Sequence, residues 1–270
     1  MKKVLLTTIL LCAVVATVVA QPDIVPRTVV SEGLRGPVRM VVTVWSYESP
    51  DSSGAYAINC STTQTFDTAG RLTMHIEMDA NGLDNVLSYE YDAYGHITKV
   101  QSHFGEPYTE TYVYAPDGRL LYTDMRFVDV FAQYNCRNEV TAYDKQGRVL
   151  AVEDSTNRYT YVYAYHTNGT LKSLTSKYRQ SEETSYYGPY GLDSVSGSCY
   201  YTYDDQGNVV QKVTKSPNIT QQSVISYKYD EYIDSYGNWM HRNLSYSDDN
   251  QTFEAFENRQ IIYYENIKKQ

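Results

Sequence analysis

Seven segments of this chain share one register. A bulky residue opens each, Asp or another polar residue follows, Gly falls at plus four, and an apolar residue falls at plus six. They read FDTAGRL (residues 66–72), YDAYGHI (91–97), YAPDGRL (114–120), YDKQGRV (143–149), YHTNGTL (165–171), YDDQGNV (203–209) and IDSYGNW (233–239). An internal repeat limits architecture before any single residue does, because every copy must be the same supersecondary unit. One copy in a chain holding 29 tyrosines would mean little, but seven in a common register set a building rule.

The unit reads as a turn. Asp at the first position of a type I turn accepts local backbone N–H bonds. A Gly at the end of it takes the left-handed conformation that a Cβ disfavours. Together they make a hairpin loop closed by a bulge, with Gly70, Gly95, Gly118, Gly147, Gly169, Gly207 and Gly237 as the structural turn residues. If plus one pairs with plus five, position zero pairs with plus six, so Tyr91 faces Ile97 and Tyr114 faces Leu120. Extended one step, the register pairs Tyr112 with Tyr122. Ala115 and His166 stand where other copies have Asp, and Asp117 and Asn168 supply the turn chemistry there. MDANGLD (residues 78–84) reads as an eighth turn with its apolar residue out of register. The seventh copy follows Tyr227, Tyr229 and Asp230, as though its turn carried a four-residue insertion.

Residues 1–20 have the form of a secretory leader. Lys2 and Lys3 precede an apolar run that ends in small residues at Ala20. The mature chain would begin at Gln21 and be exported to the periplasm, the cell surface or the medium. The leader's apolar run is too short to anchor the chain, and no later segment is apolar enough to span a membrane as a helix. The formal charge is −9 and no basic stripe occurs, which disfavours nucleic acid as a partner. Cys60, Cys136 and Cys199 follow the leader; in an exported chain two of them can form a disulfide, and the spacing does not say which.

VRMVVTVWSY (38–47) reads as a strand, residues 49–63 as a loop or weak edge strand, and residues 259–265 as a closing strand. Residues 125–134 fit either a short helix or a bulged strand, and residues 179–198 read as an inserted loop. Nothing divides residues 21–270, which are expected to form one all-β domain with repeats from about 64 onward. The expected fold is an antiparallel meander of repeated hairpins, one twisted sheet curling into a partial barrel.

YEYDAYGHITKV, YVYAPDGRLLYT and YTYDDQGNVVQKV resemble the YD repeats of the RHS family. LRGPVRM (34–40) and YGNWMHR (236–242) are similar to segments of the short, exported YD-repeat proteins of Bacteroidetes-type bacteria. The resemblance implies a coiled β-sheet and an exported location. In the large members such repeats form a shell around a toxin, so a relic of a toxin-delivery shell is one reading of this chain.

Chemistry is sparse. His75, His96, His103, His166 and His241 have no metal-ligand spacing, no phosphate-binding or dinucleotide fingerprint occurs, and no cofactor is expected. Carboxylates at Glu182, Glu183 and Asp193 suit a carbohydrate-active hydrolase only if they converge. Alternating rings at Tyr161, Tyr163, Tyr165, Tyr201 and Tyr203 form a candidate binding face on which a sugar could stack, although packing within the sheet explains them too. The sequence thus points to a non-enzymatic protein with a binding or structural role, its partner a glycan or an envelope protein.

Overall fold

The β-branched run at residues 38–48 becomes the seam of the whole structure. A computed structural model describes Ile24 and residues 27–48, 57–79, 81–104, 107–127, 135–155, 158–178, 181–189, 191–196, 198–215, 222–248 and 252–264. The leader at 1–20 lies outside the described residues. The strands are β1 (Val38–Glu48), β2 (Ala57–Phe66), β3 (Leu72–Asp79), β4 (Gly82–Tyr91), β5 (Ile97–Ser102) and β6 (Tyr108–Tyr114). They continue as β7 (Leu120–Phe127), β8 (Asn135–Tyr143), β9 (Val149–Asp154), β10 (Tyr159–Tyr165), β11 (Leu171–Tyr178) and β12 (Ser181–Gly188). The last six are β13 (Gly191–Val195), β14 (Cys199–Tyr203), β15 (Val209–Lys215), β16 (Gln222–Tyr229), β17 (His241–Ser247) and β18 (Thr252–Tyr263).

Each strand pairs antiparallel with the next, and β1 pairs with β2 on one side and β18 on the other. The sheet therefore closes into a complete barrel, beyond the partial curl expected. Closure satisfies the row of backbone groups that an open meander would leave bare at each edge. Other expectations change with it. The region read as a loop or weak edge strand holds most of β2, which lies inside the closed sheet. Most of the supposed inserted loop at 179–198 is the hairpin β12–β13. Met125 and Phe127 belong to β7, and residues 128–134 lie outside the described residues.

The repeat turns gather at one end of the barrel. In each, the plus-four N–H donates to the plus-one carbonyl, as in Gly118 N to Ala115 O at 2.9 Å. The seven repeat glycines have φ between 78° and 94°. At Gly118 (φ +85°) an added Cβ would meet only ordinary contacts from His96, so the penalty there is backbone strain. Gly118→Ala is expected to destabilise by about 1 kcal/mol or more; an unchanged melting temperature would count against the turn.

Position zero does pair with plus six, as Tyr114 with Leu120 and Tyr203 with Val209. The register then slips by one, so Tyr112 faces Thr123 and Val113 faces Tyr122. The expected Tyr112–Tyr122 pair is not formed, because the plus-seven residue is bulged. The same slip recurs at Thr65/Phe66, Glu90/Tyr91, Ala142/Tyr143, Ala164/Tyr165 and Thr202/Tyr203. A repeated bulge adds local twist at six of the repeat hairpins, which helps a long sheet to close.

The two faces of the wall differ. Val41, Leu72, Tyr89, Val100, Tyr112, Val152, Tyr161 and Leu174 alternate onto the enclosed face and form one core. Outside, charged residues sit opposite one another: Asp124 with Arg137 within the strands, and Glu90 with Lys99 and Lys177 with Glu182 next to hairpin ends. Their carboxylate–cation distances are 2.7, 3.0 and 3.1 Å. A barrel that faces lipid needs the reverse partition, an apolar band outside and polar groups within. This wall has its apolar core within and these ion pairs outside. Among the described residues, no helix is long and apolar enough to cross a membrane.

Residues 27–37 cap the turn end. Val29 N donates to Gly70 O and Leu72 N to Arg27 O, each at 2.9 Å or less. On the far side Arg35 N donates to Asn238 Oδ1, and Asn238 Nδ2 returns a bond to Arg35 O. Val29 and Leu34 join the core. Inside the cap, Arg27 grips Glu32 through Nε and Nη2, and Gln64 of β2 donates to the same carboxylate.

Candidate functional site

The repeated Asp does more than hold its own turn. Asp144 Oδ1 accepts from the N–H groups of Gln146 and Arg148, and its Oδ2 accepts from Arg148 Nε. Asp67, Asp92, Asp204 and Asp234 repeat this three-bond arrangement with Arg71, His96, Asn208 and Asn238 at plus five. Where Asp is missing from plus one, Asp117 takes Arg119 and Asn168 takes Thr170.

The plus-five side chain then lies over the opening Tyr of the next unit. Arg71 covers Tyr91 at 4.7 Å, Arg119 covers Tyr143 at 5.2 Å, and Arg148 covers Tyr165 at 4.5 Å. His96 stacks on Tyr114 with 4.8 Å between centroids. The covered Tyr hydroxyl donates back to the plus-six carbonyl of the previous unit: Tyr91 to Leu72, Tyr114 to Ile97, Tyr143 to Leu120 and Tyr165 to Val149. Tyr229 to Val209 continues the series; beside the extra hairpin, Tyr203 bonds Leu192 O instead. Tyr–Asp–x–x–Gly–Arg is therefore a stapling unit. Removing one staple, Tyr165→Phe, is expected to cost about 1 kcal/mol in a denaturant melt; a wild-type midpoint would show that the hydroxyl contributes nothing.

The tyrosines read as a candidate binding face point into the barrel. Tyr161 and Tyr163 are 3% and 2% exposed, Tyr165 is a staple, and Tyr201 and Tyr203 sit half-buried on the inner wall of β14. They do not make an outward ladder. The hydrolase carboxylates do not converge either. Glu182 and Glu183 are neighbours on one strand and so point to opposite faces, and Glu182 is paired with Lys177. Asp193 lies beside Gly188, at the opposite end of that hairpin. No disulfide occurs among the described residues, where all three cysteines are free. No group of three metal-ligating side chains occurs there either.

Two polar groupings inside the barrel were not visible from the repeat. On β6–β8, buried Glu110 accepts from Tyr112 Oη at 2.8 Å and Thr123 Oγ1 at 2.6 Å, and Asn138 Nδ2 donates on to Thr123. Cys136 is beside them, but burial and then the Asp154 charge push its thiol pKa up, the wrong direction for a nucleophile. This grouping is a satisfied network that fixes the strands.

The second grouping is charged. Arg242 of β17 bonds Glu257 of β18 directly across the ladder, and Arg242 Nη1 donates to Tyr229 Oη at 2.8 Å. Glu257 is 4% exposed. Arg242 and Arg259 both lie over the Trp239 indole, at 4.4 and 3.6 Å from its centroid. Burial and then Arg242 push Arg259 down to about 9, so it remains charged at neutral pH. The strand parity of Ala255, Glu257, Arg259 and Ile261 was the available signal, since two charges share a face with two apolar residues.

No protein-family model matches the chain, and no curated protein matches it in sequence. Among solved structures, a porin-like protein from Bacteroides uniformis is similar over 84% of this chain and 98% of its own, at 12% identity and a TM-score of 0.43. The TcdB2-TccC3 structure without its hypervariable C-terminal region is similar over 80% of this chain and 14% of its own, at 12% identity and a TM-score of 0.37. A DUF1329 family protein from Desulfovibrio piger is similar over 85% of this chain and 88% of its own, at 10% identity and a TM-score of 0.22.

Proposed function

We propose that this chain is an exported member of the RHS/YD-repeat family that acts at the cell envelope by holding a ligand or partner, without catalysing a reaction. The observation that carries the reading is the partition of the wall, with ion pairs outside and aromatic and charged groups enclosed. Such a barrel is a water-bathed container, and its strands are spent on rigidity. The stapled turns support the family reading, because each conserves the geometry of the unit and links it to the next. The carboxylates that would serve a hydrolase are dispersed, which leaves binding as the better account.

The test is to express the full chain in a diderm bacterium and fractionate the cells. A mature protein beginning at Gln21, found in the periplasm or medium and remaining in the aqueous phase on detergent partition, is the expected result. An uncleaved cytoplasmic chain, or partition into detergent, would sink the proposal. Purified 21–270 should in addition retain an envelope glycan or protein on a column above the level of an unrelated barrel.

A further inference from the structure

Arg259 carries the inner wall's least compensated charge in this region. It lies on β18 between Glu257 and Ile261 on the enclosed face, opposite Thr43 of β1. Its Nε is sealed from solvent without an acceptor, while the residue as a whole keeps partial exposure. The nearest carboxylate is already engaged, because Arg242 bonds Glu257. Glu32 of the cap acts on Arg259 from further off, but its oxygens are taken by Arg27 and Gln64. Two guanidinium groups thus share one indole and one carboxylate. An enclosed charge costs stability unless it is paired, and a stack on Trp offsets only part of that cost.

We infer that Arg259 anchors an internal site for a small organic monocarboxylate, which pairs with the uncompensated charge of its guanidinium. A planar carboxylate is a well-matched partner for a guanidinium. One negative charge balances the single cation left over after Arg242 and Glu257 neutralise each other, whereas a dianion would leave a surplus beside Glu257. Tyr229, edge to face with Trp239 at 5.6 Å, is the aromatic neighbour for the rest of the molecule. The inference deepens the binding reading above and rests on it only in treating the barrel as a holder of ligand.

Thermal melts of 21–270 with glucuronate, glucose and inorganic phosphate test it, in wild type and in Arg259→Met. Glucuronate at one hundred times its Kd should raise the wild-type Tm by about 5–10 °C. Glucose should do nothing, and phosphate should do much less than glucuronate. Arg259→Met should melt at or above the wild-type temperature without ligand and should not respond to glucuronate. A wild type that ignores glucuronate, an equal response to phosphate or glucose, or a variant that still responds would overturn the site. So would a variant that fails to fold or melts several degrees lower without ligand, since Arg259 would then be a structural cation. A chain that is exported and retains its envelope partner equally well with Met at 259 would overturn this site while leaving the broader proposal standing.

Discussion

Glu257→Gln is expected to destabilise the barrel by about 3–5 kcal/mol, the cost of breaking a buried ion pair by removing one partner. The substitution keeps the shape of the side chain and deletes only its charge. Glu257 is almost fully enclosed, and the Arg242 side chain is 15% exposed, so solvent cannot replace what is lost. Arg242 and Arg259 would then share the Trp239 indole without the Glu257 charge that offsets them. The repulsion should also appear as a coupling: adding Arg242→Met to Glu257→Gln should recover much of the loss, because one cation on the indole is tolerable where two are not. Equilibrium denaturation of the two single variants and the double variant measures both quantities. A single-variant loss below about 1 kcal/mol, or strictly additive effects, would mean that the pair is as dispensable as a surface salt bridge.

The hairpins were legible in the sequence because everything that makes them is local. Tyr, Asp and Gly stand within five residues of one another, and the turn they specify needs no distant partner. The staple was only half legible. Arg71, His96, Arg119, Arg148, Asn208 and Asn238 all occupy plus five, a periodic signal as regular as the glycines, but the target of Arg71, His96, Arg119 and Arg148 is the opening ring of the next unit. Closure was not legible, because it joins β1 to β18 across the whole chain and depends on twist accumulated through every bulge. The bulge itself hides in a variable position, plus seven, and that is why Tyr112 was expected opposite Tyr122. The hairpin β12–β13 escaped for a different reason: its turn between Gly188 and Gly191 lacks the Tyr–Asp signature, so the segment read as an insertion. The tyrosine ladders were seen, but alternation fixes only that rings share a face. Which face is enclosed follows from closure, and closure puts Tyr161 and Tyr163 inside.

The barrel should be stable across a broad plateau from about pH 5 to 9 and lose stability steeply on either side. On the acid side the turn aspartates decide. Burial alone would raise the pKa values of Asp67, Asp92, Asp144, Asp204 and Asp234, but the N–H donors at plus three and plus five and the plus-five side chain outweigh it and hold all five low. A group whose folded pKa lies below its unfolded value near 4 stabilises the fold above that value and ceases to do so as pH falls through the folded one. The five act in parallel around one end of the barrel, so protonation loosens their turns together as pH falls below about 4. On the alkaline side burial raises the hydroxyls of Tyr114, Tyr161, Tyr201 and Tyr263, and lifts Tyr203 and Tyr227 to about 12. Their contribution is whole below pH 10 and fades as pH rises through the folded values, because ionised rings cannot stay on the inner wall. Circular-dichroism melts from pH 2 to 12 would show both limbs. Asp144→Asn and Asp204→Asn together should flatten the acid limb, since Asn keeps the acceptor for the turn N–H groups but has no proton to gain. A Tm at pH 3 equal to that at pH 7, or an acid limb unchanged in the double variant, would remove the turn aspartates from the account.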